Sequence, residues 1–238
     1  YGGKKEGFKK IKKRIPSTKE FFKLAGYYLA EGSISGGHYL NFSFGSNERE
    51  HIEEVKRLLK KVFNIDKTHE FTHKTNHGTS VVVCSTELCR IFEKFGTKAN
   101  KKEIPYWMML EDYEKQRGLI EAYFYGDGNY YNQRSKKTNA LKEIFRINSV
   151  SEKFVVQCRD ILLRLGIAAF INKRDRNKEN RQTMYTLGIT GDHMEKFGAL
   201  VGIPIKNKIG RNKRGSRIGI NENFAFFPIK NIQSREAT

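Results

Sequence analysis

The chain has 238 residues, and its 45 lysines and arginines against 26 acids leave a net charge of +19. That length buries a substantial core as one large domain or two small ones, and a charge so one-sided excludes an ordinary enzyme of small metabolites; it suits a polyanionic partner, nucleic acid before a membrane surface. The three cysteines, Cys84, Cys89 and Cys158, sit in apolar contexts as an odd number, which reads as reduced buried thiols rather than a disulfide scaffold, and no spaced histidine or second cysteine pair suggests zinc. No secretory signal or membrane-spanning run is read, so an intracellular protein is expected.

In chain order, residues 1–16 are rich in glycine and lysine and read as a basic arm or linker ending at Pro16. Ser17, Thr18, Lys19 and Glu20 have the form of a capping box, opening a helix through Phe21, Phe22, Leu24 and Leu29 to Gly32. Residues 39–44 alternate apolar and polar as a strand does, and residues 47–63 carry Ile52, Val55, Leu58, Leu59 and Val62 at helical spacing. Residues 68–75 and 79–85 read as strands around an Asn76-His77-Gly78 turn, and residues 87–95 as a short closing helix.

The same order then recurs. A helix runs through Leu119 to Asp127, and strand-like residues 129–134 and 141–148 flank a polar loop at 135–139. Ser149, Val150, Ser151 and Glu152 form another expected capping box, opening a helix with Val155, Cys158, Ile161, Leu162 and Leu165. Strands at 168–174 and 183–190 pair across a charged loop, and a helix near 192–200 ends the unit. At one constant spacing Phe42, Ser46, Ile52, Val55 and Leu59 fall on Phe145, Ser149, Val155, Cys158 and Leu162. The reading is an α+β protein, a duplicated αββαββα unit with repeats at 17–110 and 111–210 and a basic tail at 211–238.

One stretch organises both repeats: LAGYYLAEG at residues 24–32 and IEAYFYGDG at 120–128. Aligned on their acids, Glu31 falls on Asp127, Gly26 on Ala122 and Ala30 on Gly126. Small residues at i and i+4 share one helix face, so two such helices can pack at short interaxial distance. The acid then stands at the last helical residue, and the glycine is expected to supply a left-handed cap. Taken once, such a stretch is mostly just a well-packed helix with a glycine cap; two copies with matching downstream sequence point to Glu31 and Asp127 meeting at one end of the pair. Adjacent carboxylates call for cations between them.

These two motifs and the pattern after each resemble those of single-chain LAGLIDADG, or dodecapeptide, homing endonucleases. The resemblance implies a pseudo-twofold fold with the motif helices at its interface and two four-stranded antiparallel sheets forming a saddle on the DNA major groove. It implies a monomer that cuts one phosphodiester per strand of a long, partly degenerate double-stranded target, leaving short 3′ overhangs. Glu31 and Asp127, assisted by the backbone carbonyls of Ala30 and Gly126, would hold Mg²⁺ or Mn²⁺, which take hard oxygen ligands. A lysine in each half would assist the reacting water or phosphate: Lys102, in the segment Asn100-Lys101-Lys102-Glu103-Ile104-Pro105 that is similar to the Lys-x-Ile-Pro of intein endonucleases, and Lys208 at the equivalent distance from Gly202. Against both stands the solvated surface that most of the 45 basic residues must form.

Strand side chains entering the major groove would read bases. The candidates are Tyr39, Asn41, Ser43, His69, Thr72 and Lys74 in the first half, and Asn132, Gln133, Arg134, Arg146, Asn148, Asn172, Arg174, Arg181 and Gln182 in the second. Arg211, Lys213, Arg214 and Arg217 of the tail would clamp phosphates. The motifs and the Ile-Pro segment favour the intein-borne branch, and residues 226–232 resemble a return strand into a splicing domain. Tyr1 and the Ala237-Thr238 end supply no splicing chemistry, so a fused splicing domain would lie outside this sequence. The rival reading is a non-cleaving LAGLIDADG nucleic-acid-binding protein, a transcription regulator or RNA maturase; loss of either acid would favour it, and both are present.

Overall fold

The computed structural model describes residues 14–45, 47–72, 78–134, 141–176, 181–205, 219–220 and 224–226. Lys19–Glu31 forms α1, buried on nearly every side by Phe21, Phe22, Leu24, Ala25 and Leu29. Its N-cap is Thr18, whose hydroxyl accepts the Phe21 N–H at 3.3 Å. The expected capping box is therefore shifted: Ser17 instead donates to Glu111 at 2.7 Å, reaching the other half of the chain. Gly32–Ser35 (β1), Tyr39–Phe44 (β2), Arg49–Phe63 (α2), His69–Thr72 (β3), Thr79–Cys84 (β4) and Thr86–Phe92 (α3) complete the first unit.

After a single turn, Tyr106–Met109 (α4), the second unit repeats the first: Tyr113–Asp127 (α5), Gly128–Arg134 (β5), Leu141–Ser149 (β6), Glu152–Arg164 (α6), Phe170–Arg174 (β7), Met184–Ile189 (β8) and His193–Leu200 (α7). Both four-stranded sheets are antiparallel with the same order, β1-β2-β4-β3 and β5-β6-β8-β7. The second capping box is also displaced. Ser151, not Ser149, caps α6 and accepts the Phe154 N–H at 3.3 Å, while Ser149 Oγ accepts the Ser151 N–H. Gly219–Ile220 (β9) and Ala225–Phe226 (β10) pair as a separate two-stranded ribbon, so Phe226 is in a strand and the rest of the 226–232 segment lies outside the described residues.

Each sheet covers its helices with one face. Leu40, Phe42, Phe44, Val81 and Val83 turn inward in the first half, and Phe145, Ile147, Leu187 and Ile189 in the second. Rings fill the layer between: Tyr28, Phe42, Phe92 and Phe95 on one side of the motif helices, Phe124, Phe145 and Phe197 on the other. Burying each such side chain stabilises the fold by about 1.5–3 kcal/mol.

The seam between the halves is α1 against α5. A Cβ placed on Gly26 would lie 2.3 Å from the Leu119 carbonyl oxygen, and one on Gly126 would lie 2.7 Å from Ala30 Cβ. Backbone thus meets backbone through the small-residue face. The glycines after the acids do not take the expected left-handed cap: Gly32 has φ −84° and Gly128 φ −84°, both extended, because the chain passes straight into β1 and β5. Their reason for being glycine is space, since a Cβ would lie 2.2 Å from Tyr28 Cδ2 in one copy and 2.2 Å from Phe124 Cδ2 in the other.

Candidate active site

Glu31 and Asp127 are the last residues of α1 and α5, so the close seam carries both acids to the same end. The link is direct: the Cβ position of Gly126, next to Asp127, lies 3.1 Å from Glu31 Cγ and 3.5 Å from Glu31 Oε1. Burial pushes the Glu31 carboxyl up to about 7, reinforced by the charges of Asp127 and Glu48 and opposed by Lys102. Burial also raises Asp127, while a hydrogen bond from Tyr123 pulls it back down. The repulsion between the neighbouring acids favours the neutral form of Glu31. The last ladder bonds run from the Gly32 N–H to the Tyr28 carbonyl and from the Gly128 N–H to the Phe124 carbonyl, so the carbonyls of Ala30 and Gly126 lie past the end of the ladder.

Lys102 reaches this end from the segment joining the halves. It is 7% exposed, and its Nζ donates to the carbonyls of Tyr28 at 2.7 Å and Gly32 at 2.8 Å, 3.7 Å from the centroid of the Tyr28 ring. The ammonium therefore caps the negative C-terminal end of α1. Burial lowers its pKa to about 7, with Glu31 working in the opposite direction. The second half holds its backbone: Ser151 Oγ donates to the Lys102 carbonyl at 2.6 Å, and Gln157 exchanges two hydrogen bonds with Ile104. Beside these groups opens a cleft of about 400 Å³ lined by Ala30, Gly32, Lys102, Tyr123, Asp127 and Asn148 among others. Among the described residues no group of three or more histidines, cysteines and acids could by itself hold a metal ion. Lys208 lies outside the described residues.

The sheet registers sort the strand candidates. Tyr39, Asn41 and Ser43 alternate with the buried Leu40, Phe42 and Phe44 and so stand on the outer face, where His69 joins them opposite Val82. Arg146, Asn148, Asn172 and Arg174 stand on the outer face of the second sheet. Three candidates do not. Thr72 pairs with Thr79, which pairs with the buried Phe44, so it lies on the helix side. Asn132 pairs with Glu143, on the side where Tyr130 donates to Glu143, and Arg134 follows by alternation. The cause in each case is a one-residue difference of phase, which turns a side chain to the other face. Arg181 and Gln182 are exposed ahead of β8, tied to Arg176 through backbone groups. Lys74, Arg211, Lys213, Arg214 and Arg217 lie outside the described residues, as does the side chain of Gln133.

Sequence reading passed over Ser33, Ser35, Phe71, Asn129, Tyr131 and Thr186, which share the outer faces by register. Counting by two from Asn41 and Arg146 across the partner strands would have found them. It also passed over Tyr123, Ser151 and Gln157; the tyrosine at the fourth position of both motifs was the one visible signal.

Comparison with known proteins matches this chain to the LAGLIDADG-like domain over residues 19–96 and 114–202. It is 28% identical over 219 residues to an iron-sulfur cluster assembly SufBD family protein of Mycobacterium tuberculosis, covering 85% of this chain and 25% of the relative. It is 23% identical over 233 residues to the ATP-dependent DNA helicase Hel308 of Thermococcus kodakarensis, covering 96% of this chain and 20% of the relative. The chain thus spans a quarter or less of these relatives. Among solved structures it is similar to I-DmoI in complex with DNA and Mn, with TM-score 0.55, 16% identity, and coverage of 78% of this chain and 97% of that one. The N-terminal LAGLIDADG domain of DUF199/WhiA has TM-score 0.54 at 16% identity, covering 81% and 85%. Two four-stranded antiparallel sheets astride a packed helix pair are the fold shared with these structures.

Proposed function

The chain belongs to the LAGLIDADG family, and on that premise we propose that it is a site-specific endonuclease that hydrolyses one phosphodiester in each strand of double-stranded DNA and leaves short 3′ overhangs. The observation that carries the reading is the pair of part-buried acids, Glu31 and Asp127, at the joined ends of α1 and α5. Burial and mutual repulsion that lift a carboxyl to about 7 leave the pair short of positive charge. Hard oxygens in that state fit Mg²⁺ or Mn²⁺, and Glu31 and Asp127 would hold such ions together with the carbonyls of Ala30 and Gly126, water and the scissile phosphates. A bound divalent ion supplies charge neutralisation at phosphate and acidifies water.

The chain's own groups do the rest. Lys102, with a pKa near 7, holds or gives up a proton at Nζ at the edge of the cleft, where it acts on the attacking water or the phosphate charge. The outer faces bearing Tyr39, Asn41, Ser43, His69, Arg146, Asn148, Asn172 and Arg174 lie in the major groove, with the net charge of +19 drawing the backbone in. The LAGLIDADG segment is carried within longer proteins, as in the intein-borne branch. An iron-sulfur assembly protein and a helicase have little work in common, yet both match this chain over one quarter or less of their length, which is the pattern of an insert.

A second reading, binding without cleavage, is favoured by the likeness to a WhiA domain and by the engagement of Lys102 Nζ with two carbonyls. Targets selected by binding from a randomised duplex library, then incubated with Mg²⁺ or Mn²⁺, separate the two. The nuclease reading expects double-strand cuts that Glu31→Gln and Asp127→Asn abolish while binding persists. Bound targets that stay intact with either metal would leave the binding role standing instead.

A further inference from the structure

The fourth residue of each motif is a tyrosine, Tyr27 in α1 and Tyr123 in α5, four residues before the acid. That spacing puts hydroxyl and carboxylate on one helix face, so symmetry would give each acid the same partner. The structure breaks the symmetry. Tyr123 is 1% exposed, and its hydroxyl lies 3.3 Å from Asp127 Oδ2 and 3.2 Å from the Asn148 carbonyl oxygen. Tyr27 turns instead to His51, with its hydroxyl 3.4 Å from Nδ1, and that imidazole stacks on Tyr125 at 5.4 Å between ring centres. Glu31 feels the charges of Asp127, Glu48 and Lys102, whereas Asp127 accepts a hydrogen bond from the Tyr123 phenol.

Resting on the nuclease reading, we infer that Tyr123 is a positioning residue for Asp127 alone, and that it makes the two halves of the active site chemically unequal. One hydroxyl proton serves two acceptors, which accounts for two separations longer than the usual 2.7–2.8 Å of a dedicated O–H···O bond. Holding Oδ2 fixes the carboxyl plane and leaves the other oxygen as the one presented to the cleft. The second acceptor belongs to β6, whose Asn148 side chain is on the outer sheet face and accepts from Thr186 at 2.7 Å. The phenol therefore joins the strand that meets DNA bases to the acid that serves one phosphodiester. A small displacement of β6 on an imperfect target alters how that acid is held. In the first half no such bond runs between the tyrosine of the motif and the acid, so discrimination by this route falls on one strand.

The test uses the full chain, a selected target duplex labelled separately on each strand, and Tyr123→Phe beside Tyr27→Phe. The expected result is that Tyr123→Phe slows nicking of one strand about tenfold relative to the other, the scale of one lost charge-assisted hydrogen bond. Tyr27→Phe leaves the ratio between strands as in the wild type. Independently of cleavage, Mn²⁺ titrated by electron paramagnetic resonance into the protein bound to a non-hydrolysable duplex should show part of the bound ion weakened by Tyr123→Phe and none by Tyr27→Phe. Equal slowing of both strands, or an unchanged strand ratio with unchanged Mn²⁺ binding, would overturn the role of Tyr123 while leaving the nuclease intact. A wild type that binds the target but never nicks it would overturn the nuclease reading first; the Mn²⁺ arm then still decides whether Tyr123 supports Asp127.

Discussion

Replacing Gly26 by alanine sets a methyl carbon 2.3 Å from the Leu119 carbonyl oxygen and 3.0 Å from both Ala122 Cβ and Tyr123 N. Ordinary contact begins near 3.4 Å, so α1 and α5 must part by about 1 Å at this level. Overpacking against rigid backbone costs ~1–3 kcal/mol, and the higher helix propensity of alanine returns ~1 kcal/mol. The expected net loss is roughly 0–2 kcal/mol. Gly118→Ala, on the same helix pair, is the internal control. Its methyl would meet Lys19 Cγ at 3.0 Å and Lys23 Cγ at 3.3 Å, the movable stems of two long side chains. There the propensity gain survives, and the change should lie between neutral and about 1 kcal/mol stabilising. Urea unfolding followed by circular dichroism, with equal m-values, measures both. Because the same parting separates Glu31 from Asp127, Gly26→Ala should also reduce metal-dependent cleavage, whereas Gly118→Ala should not. Equal stability of the two variants would show that the helices do not meet through their small residues.

Three more outcomes are expected. Without metal, stability should fall as pH rises from about 4.5 to 7, because the folded state keeps a proton on Glu31 that the unfolded chain has released, and should rise from about 7 towards 10.5, because the folded state sheds the Lys102 proton that the unfolded chain keeps. Thermal melts in EDTA across this range should show a minimum near 7, with a shallower acid limb in Glu31→Gln, where the raised Asp127 still contributes, and a lost alkaline limb in Lys102→Met. Ser151→Ala removes both the N-cap of α6 and the bond to the Lys102 carbonyl, so it should cost about 1–2 kcal/mol by denaturant titration; a loss within error would mean that water replaces the hydroxyl. Arg146→Ala, which also loses the stack 5.0 Å over Tyr131, should weaken target binding by about 1–3 kcal/mol, while Asn132→Ala on the helix side should leave it unchanged in a filter-binding titration.

The duplication, the seam and the placement of Glu31 and Asp127 at the helix ends were legible in the residue order, because each rests on local spacing: small residues at i and i+4, an acid at the helix end, and a matching run downstream in both halves. Strand alternation gave the correct faces where one apolar series dominates, as for Asn41 between Leu40 and Phe42, and failed at Thr72 and Asn132, where the phase comes from a neighbouring strand. Capping residues and the glycine conformations were misplaced because they depend on where the chain turns next: Ser17 is drawn away by Glu111, and Gly32 passes straight into β1. Nothing in the spacing could say that Lys102 would settle on the carbonyls of Tyr28 and Gly32, or that equivalent tyrosines would choose different partners. A linear pattern determines which side chains share a face of one element. Which distant group then receives a buried proton or charge is decided only when separate elements are pressed together and each polar atom must find a partner within about 3 Å.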